Sequence, residues 1–237
     1  MKKTGKYLSL IPIYLLVICS LLFAALGGNR AVTVLSESAP ITGRKCVIID
    51  AGHGGEDGGT TSYTGVLESA INLQIALRLD DLMHLLGIDT VMIRKTDRSV
   101  YTQGQTIAAK KASDLKERVR IVNETENAVL ISIHQNHFSD SRYSGPQVFY
   151  STAGSSEALA KTLQLSMNQS LNPKGNRQSK KADGIYLMRN IHCTGILLEC
   201  GFLSNPEEES KLCSTEYQKQ LCIVIASVCS NFLNATD

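Results

Sequence analysis

Three apolar runs in this chain lead directly into residues that can bind a metal ion or move a proton. They are Ile48-Ile49-Asp50-Ala51-Gly52-His53-Gly54-Gly55, Leu130-Ile131-Ser132-Ile133-His134-Gln135-Asn136 and Ile196-Leu197-Leu198-Glu199-Cys200-Gly201. A fourth such residue, Glu68, opens a helical pattern after the first glycine-rich stretch. Two imidazoles and one carboxylate are the protein half of a hydrolytic zinc site, which keeps a fourth position for water. His53, Glu68 and His134 supply that set. Glu199 comes from a separate run and suits a general base, taking a proton as water attacks a carbonyl and passing it to the leaving amine. Taken singly, each residue has a plainer reading. The His53 segment could be a phosphate loop, although it lacks the Lys and Ser/Thr of a P-loop. Glu68 could simply favour a helix N-terminus, and Glu199 could pair with an arginine. Their joint arrangement is what points to a zinc hydrolase.

Residues so far apart in sequence need a scaffold to bring them together. Apolar runs of strand length alternate with helical periodicity. Strands are predicted at 46–50, 90–93, 129–133, 147–150, 185–188 and 195–198, and helices at 68–86, 114–125, 157–171 and 215–233. Gly87 ends the first helix, Asp114 and Glu117 are placed as a capping pair for the second, and Pro173 follows the third. The alternation predicts an α/β fold: a single domain with a mostly parallel twisted sheet and helices on both faces. Sites in such sheets form beyond the carboxyl ends of strands. His53, His134 and Glu199 are then expected at one edge, to which Glu68 can return.

The ends and the composition set further bounds. Lys2, Lys3 and Lys6 precede an uncharged run from Tyr7 to Leu26, the pattern of an export signal. The run is about long enough to span a bilayer, where roughly 20 apolar residues are needed. Residues 1–28 are therefore read as a cleaved signal or a retained N-terminal membrane anchor, 29–43 as a linker, and 44–237 as the catalytic domain. The protein is expected to be exported and to act outside the cytoplasm. A formal net charge of +2 argues against nucleic acid as a partner. Trp is absent, which excludes sugar-stacking platforms of the Trp type. The seven cysteines include no C-x-x-C pair and suggest small core residues rather than a disulfide framework or a thiolate zinc site.

With these residues in view, the chain resembles the zinc-dependent N-acetylmuramoyl-L-alanine amidases of bacterial cell walls. The resemblance is carried by VIIDAGHGGEDGG (Val47 to Gly59), GVLESAINLQIAL (Gly65 to Leu77), RKTD (Arg94 to Asp97), LKERVRIVNETENAVLISIHQN (Leu115 to Asn136) and ILLECGFLSNP (Ile196 to Pro206). It implies Zn2+ on His53, Glu68 and His134, a catalytic Glu199, and peptidoglycan as substrate, cut between the muramoyl lactyl group and L-alanine. After the linker the catalytic domain is expected to take up the remaining chain, with no wall-binding repeat. The compact form is similar to amidases that process spore cortex before muramic lactam forms, which implies a localising or activating partner protein or the N-terminal segment itself.

Some residues depart from the family pattern or play supporting parts. His137 stands where a small residue is common; it is read as a rim histidine, with a rival ligand or a substrate contact as the alternatives. His192 is expected on a loop and His84 on an exposed helix face. Arg118 is expected to pair with a buried carboxylate, Asp50 and Asp57 to support the glycine loop or a ligand histidine, and Asn136 to orient the site. Rival readings are a zinc peptidase cutting the stem peptide, a cysteine hydrolase using Cys200, and a non-catalytic wall-binding module.

Overall fold

The computed structural model describes residues 44–235; the predicted export segment and linker lie outside them. Six strands form one sheet in the order β2-β1-β3-β6-β4-β5, where β1 is Cys46–Ala51, β2 Thr90–Met92, β3 Ala128–Asn136, β4 Gln147–Tyr150, β5 Lys180–Lys181 and β6 Thr194–Phe202. The neighbours β2, β1, β3 and β6 are parallel. β4 runs antiparallel to β6 and carries β5 parallel to itself. Six helices complete the domain: α1 Glu68–Leu85, α2 Ile107–Glu124, α3 Ser156–Leu171, α4 Tyr186–Asn190, α5 Pro206–Leu212 and α6 Thr215–Ala235.

Period-2 alternation divides the strand residues between two cores. Val47, Ile49, Ile131, Ile133, Ile196 and Leu198 pack with Ile71 and Ile75 of α1, Leu159 and Leu163 of α3, and Leu221 and Ile225 of α6. Ile48, Leu130 and Leu197 face the other way, against Val122 of α2 and Leu187 and Met188 of α4. Both sheet faces are covered, as the near-continuous apolar strands require. Because Ile48, Leu130 and Leu197 share a face, the same alternation sends Asp50, Ser132, His134 and Glu199 to the α2/α4 side. Cys200 goes to the opposite core. Among the described residues no helix is long and apolar enough to cross a membrane.

Two local expectations are corrected and one helix is added. The run 185–188 is not a strand: Tyr186–Asn190 is the short helix α4, whose Leu187 and Met188 cover the smaller core. Four apolar-leaning residues cannot distinguish the two periods, and packing decides. α2 begins at Ile107, not at Asp114, and its cap is Thr106, whose side chain accepts from the Ala109 N–H at 3.2 Å. Asp114 is freed for a buried ion pair. The helix Pro206–Leu212, with Asn205 as its cap and proline in its first turn, was not anticipated.

Candidate metal centre

β1 stops at Ala51, and the chain turns through His53, which adopts a left-handed backbone with φ of 61°. A non-glycine residue rarely sits there, and such strain persists where surroundings impose it. Arg118 is one such constraint, donating to the His53 carbonyl at 2.9 Å. Arg118 also donates to Asp50 and, at 2.7 Å, to Asp114. The Ser132 hydroxyl donates to the second Asp50 oxygen at 2.6 Å. All three charged groups are buried. Burial alone would disfavour the charge on Arg118, but Asp50 and Asp114 overcome it and raise its pKa. This is the buried pairing expected of Arg118.

Arg94, in the RKTD stretch, received no role from sequence reasoning. It is wholly buried, and its guanidinium donates to the carbonyls of Ala51 (2.8 Å), Gly52 (3.0 Å), Ser69 (2.8 Å) and Thr96 (3.1 Å). It therefore ties the end of β1 to the first turn of α1, which is the link between His53 and Glu68. The fork of five donors suits this task. An isolated arginine in a sequence carries no sign of it.

The three expected ligands meet. The Glu68 Oε1 lies 3.3 Å from His53 Nε2 and 3.1 Å from His134 Nδ1. One donor atom from each of the three residues lies within 4.8 Å of the others. Glu68 is held by the N–H groups of Thr60 (2.9 Å) and Gln135 (3.1 Å) and by Asn72 Nδ2 (3.3 Å). The Gln135 side chain fixes Asn72 in turn, at 3.1 Å. His53 Nδ1 is engaged by Asp57 Oδ2 at 2.9 Å, leaving Nε2 for the centre. The backbone fits closely around these side chains. A Cβ on Gly52 would fall 2.2 Å from the His134 ring, and one on Gly59 would fall 2.5 Å from Glu68 Oε2.

Charge is distributed accordingly. Burial opposes ionisation of Glu68, yet hydrogen bonds from His134 and His53 hold its carboxyl well below the usual range. Burial likewise opposes protonation of His53, but Glu68 and then Asp57 raise its pKa. Glu199 is paired with His134 across β3 and β6. Its Oε2 is buried without a hydrogen-bond partner. Burial pushes its pKa up to about 7, the neighbouring histidines only partly opposing this. A carboxylate so poised can take up a proton near neutral pH.

Other candidates fall away from the centre. His137, His192 and His84 are exposed, and His137 is not part of the donor cluster. Asn136 ends β3, its carbonyl accepting the Leu203 N–H at 2.8 Å. Cys200 lies in the opposite core, where burial pushes its thiol up, so it faces away from the cluster and is no nucleophile there. Cys200, Cys222 and Cys229 are buried, whereas Cys46 and Cys193 are half-buried and Cys213 is exposed. The core reading of the cysteines therefore holds for half of those described. His134 and Glu199 lie inside their strands rather than past the ends, because β3 and β6 run on to Asn136 and Phe202.

The cluster offers the groups a hydrolytic zinc centre would use: two imidazole nitrogens, one carboxylate with its own hydrogen-bonded support, and a second carboxylate apart from these three. Comparison with known proteins points to an amidase. Residues 47–230 match the profile of the family described as N-acetylmuramoyl-L-alanine amidase. The chain is 36% identical over 186 residues to the germination-specific N-acetylmuramoyl-L-alanine amidase of Bacillus subtilis, covering 78% of this chain and 77% of that one. It is similar in structure to the CwlD amidase of Clostridioides difficile, solved in complex with the GerS lipoprotein. There the TM-score is 0.77 at 33% identity, over 81% of this chain and all (100%) of that one. An N-acetylmuramoyl-L-alanine amidase from Clostridium difficile 630 superposes with a TM-score of 0.71 at 30% identity, over 82% of this chain and 99% of that one.

Proposed function

The chain belongs to the N-acetylmuramoyl-L-alanine amidase family, and from that premise we propose that His53, Glu68 and His134 hold a catalytic zinc ion while Glu199 serves as general base. The reaction is hydrolysis of the peptidoglycan amide between N-acetylmuramic acid and L-alanine. The observation that carries this reading is the single Glu68 oxygen within 3.3 Å of both imidazoles, beside a Glu199 oxygen buried without a partner.

A zinc ion held there would lower the pKa of a bound water to roughly 7 and polarise the scissile carbonyl. The remaining work belongs to the chain. Glu199 accepts the proton of the attacking water and delivers it to the departing L-alanine nitrogen. Asp57 orients the His53 ring through Nδ1, and Glu68 is fixed by Thr60, Gln135 and Asn72. Arg94 and Arg118 hold the backbone that presents His53. Purified protein should contain stoichiometric zinc that Glu68→Ala loses, and it should release peptides beginning with L-alanine from intact glycan. Cleavage inside the stem peptide would favour the zinc-peptidase reading. Bound zinc with no peptide released, even beside a partner, would favour a non-catalytic module.

The proposed setting is spore cortex maturation before muramic lactam formation, supported by the germination-specific relative. Action would be extracytoplasmic, after export by residues 1–28 as signal or anchor. A localising or activating partner protein is supported by the lipoprotein complex of the CwlD amidase. Deleting the gene should abolish cortex muramic lactam; unchanged lactam content would refute the setting.

A further inference from the structure

We infer that Phe138, Tyr143 and Phe202 form an aromatic wall that receives the sugar ring of the substrate beside the zinc centre; this rests on the amidase reading above. The three rings form one contiguous cluster. Phe138 and Tyr143 meet edge to face with centroids 4.7 Å apart, and Tyr143 lies 6.1 Å from Phe202. The Arg177 guanidinium closes the far side, 4.8 Å from the Phe202 centroid. Phe202 is buried, yet it belongs to neither hydrophobic core; its aromatic neighbour Tyr143 is 48% exposed and Phe138 47%. Exposed aromatic surface gathered on a buried ring marks a binding surface rather than a packing remnant.

The wall grows from the ends of the strands that carry the catalytic groups: Phe202 closes β6, and Phe138 lies two residues past the end of β3. Phe138 follows His134 by four residues, and Phe202 follows Glu199 by three. In a regular strand, an odd separation would put Phe202 and Glu199 on opposite faces. The pairing shifts register, however: His134 faces Glu199 and Asn136 faces Phe202, so β6 carries one extra residue between the two pairs. This bulge returns Phe202 to the face of Glu199, while Leu203 enters the opposite core. Gln147, paired with Glu199 on the other side, accepts from Arg177 at 3.3 Å, which seats the Arg177 loop there too. The Phe138 N–H donates to Ser204 Oγ at 3.1 Å, and Asn205 Nδ2 donates to the Tyr143 carbonyl at 3.3 Å, so β6's continuation holds both exposed rings.

The occupant follows from reach and chemistry. Across the bulge, Glu199 and Phe202 are set apart by the two-residue rise from His134 to Asn136, about 7 Å, the order of a lactyl ether reaching onto a pyranose ring. The scissile amide joins that ether to a peptide, and the peptide offers no flat C–H face. A pyranose ring does, and aromatic faces, electron-rich at their centres, take it by stacking. The wall thus binds the muramoyl sugar, and the peptide leaves in another direction.

The test compares a sugar-bearing substrate, N-acetylmuramoyl peptide, with a D-lactyl peptide lacking the ring. In the Phe138→Ala/Tyr143→Ala double variant, the kcat/KM preference for the sugar-bearing substrate should fall about tenfold, mainly through KM. Tyr143→Phe, which keeps the ring, should retain the preference. Peptide-free glycan should bind the wild-type protein in an NMR titration and not the double variant. An unchanged preference, an equal loss on both substrates, or glycan that does not bind the wild-type protein would overturn the wall. A wild-type protein that binds glycan but cleaves neither substrate would instead overturn the amidase reading.

Discussion

Asp57 Oδ2 lies 2.9 Å from His53 Nδ1, and the opposite nitrogen of the same ring lies 3.3 Å from Glu68. The carboxylate thereby decides which nitrogen of His53 is left for a metal ion. Lys111 reaches the same Asp57 oxygen at 3.1 Å, which ties this support to α2. Removing the outer partner of a ligand histidine costs metal affinity without removing a ligand. Asp57→Ala should weaken zinc binding by about 10- to 100-fold. A chelator-competition titration checks this; unchanged affinity would show that Asp57 serves only the loop.

Glu199 separates from the ligands in a simple experiment. Glu199→Gln keeps the shape of the side chain but cannot accept a proton. The variant should hold wild-type zinc while kcat falls by about 10²- to 10⁴-fold. Metal analysis and turnover on the same preparation decide it. Loss of zinc in this variant would make Glu199 a ligand and leave the base unassigned.

The pH dependence follows from two shifted groups of the proposed ligand set. His53 is raised above its ordinary value of 6.5, so its pairing contributes fully below that pH and is lost as pH rises through the folded value. Glu68 is lowered from 4.5, so its contribution is full above that pH and is lost on acidification. In the metal-free protein both contributions are therefore complete between 4.5 and 6.5. Zinc requires neutral imidazole and must displace the His53 proton. The rise in Tm produced by zinc should grow from pH 6 toward pH 8, measured by thermal denaturation with and without the metal. A rise independent of pH would contradict His53 as a ligand.

Arg118 stabilises the loop from inside the protein. Truncation to leucine leaves Asp50 and Asp114 buried without their cation. Losing one member of a buried ion pair costs about 3–5 kcal/mol. Denaturant titration of Arg118→Leu should show a loss of that size. Replacing Asp50, Asp114 and Arg118 together by apolar residues should cost less, because no charge is then stranded.

Much of this protein was readable from local pattern. Apolar strands and amphipathic helices alternate with periods set by side-chain geometry, so the parallel sheet and its coverage on both faces could be derived. His53, His134 and Glu199 could be placed near one edge because each ends or interrupts an apolar run. What remained out of reach depends on neighbours distant in sequence. The run 185–188 has no periodicity of its own and became a helix because the smaller core needed a cover. Arg94 owes its role to four carbonyls that only the folded loop brings together. Glu68 has no strand to place it, and its position between the two histidines comes from Thr60, Asn72 and Gln135. The bulge in β6 is likewise a property of the β3–β6 pairing, and through it Phe202 shares a face with Glu199. Composition and spacing thus determined which residues could do the chemistry. The distances that let them act together were decided by backbone hydrogen bonds and buried charges, which a linear sequence does not express.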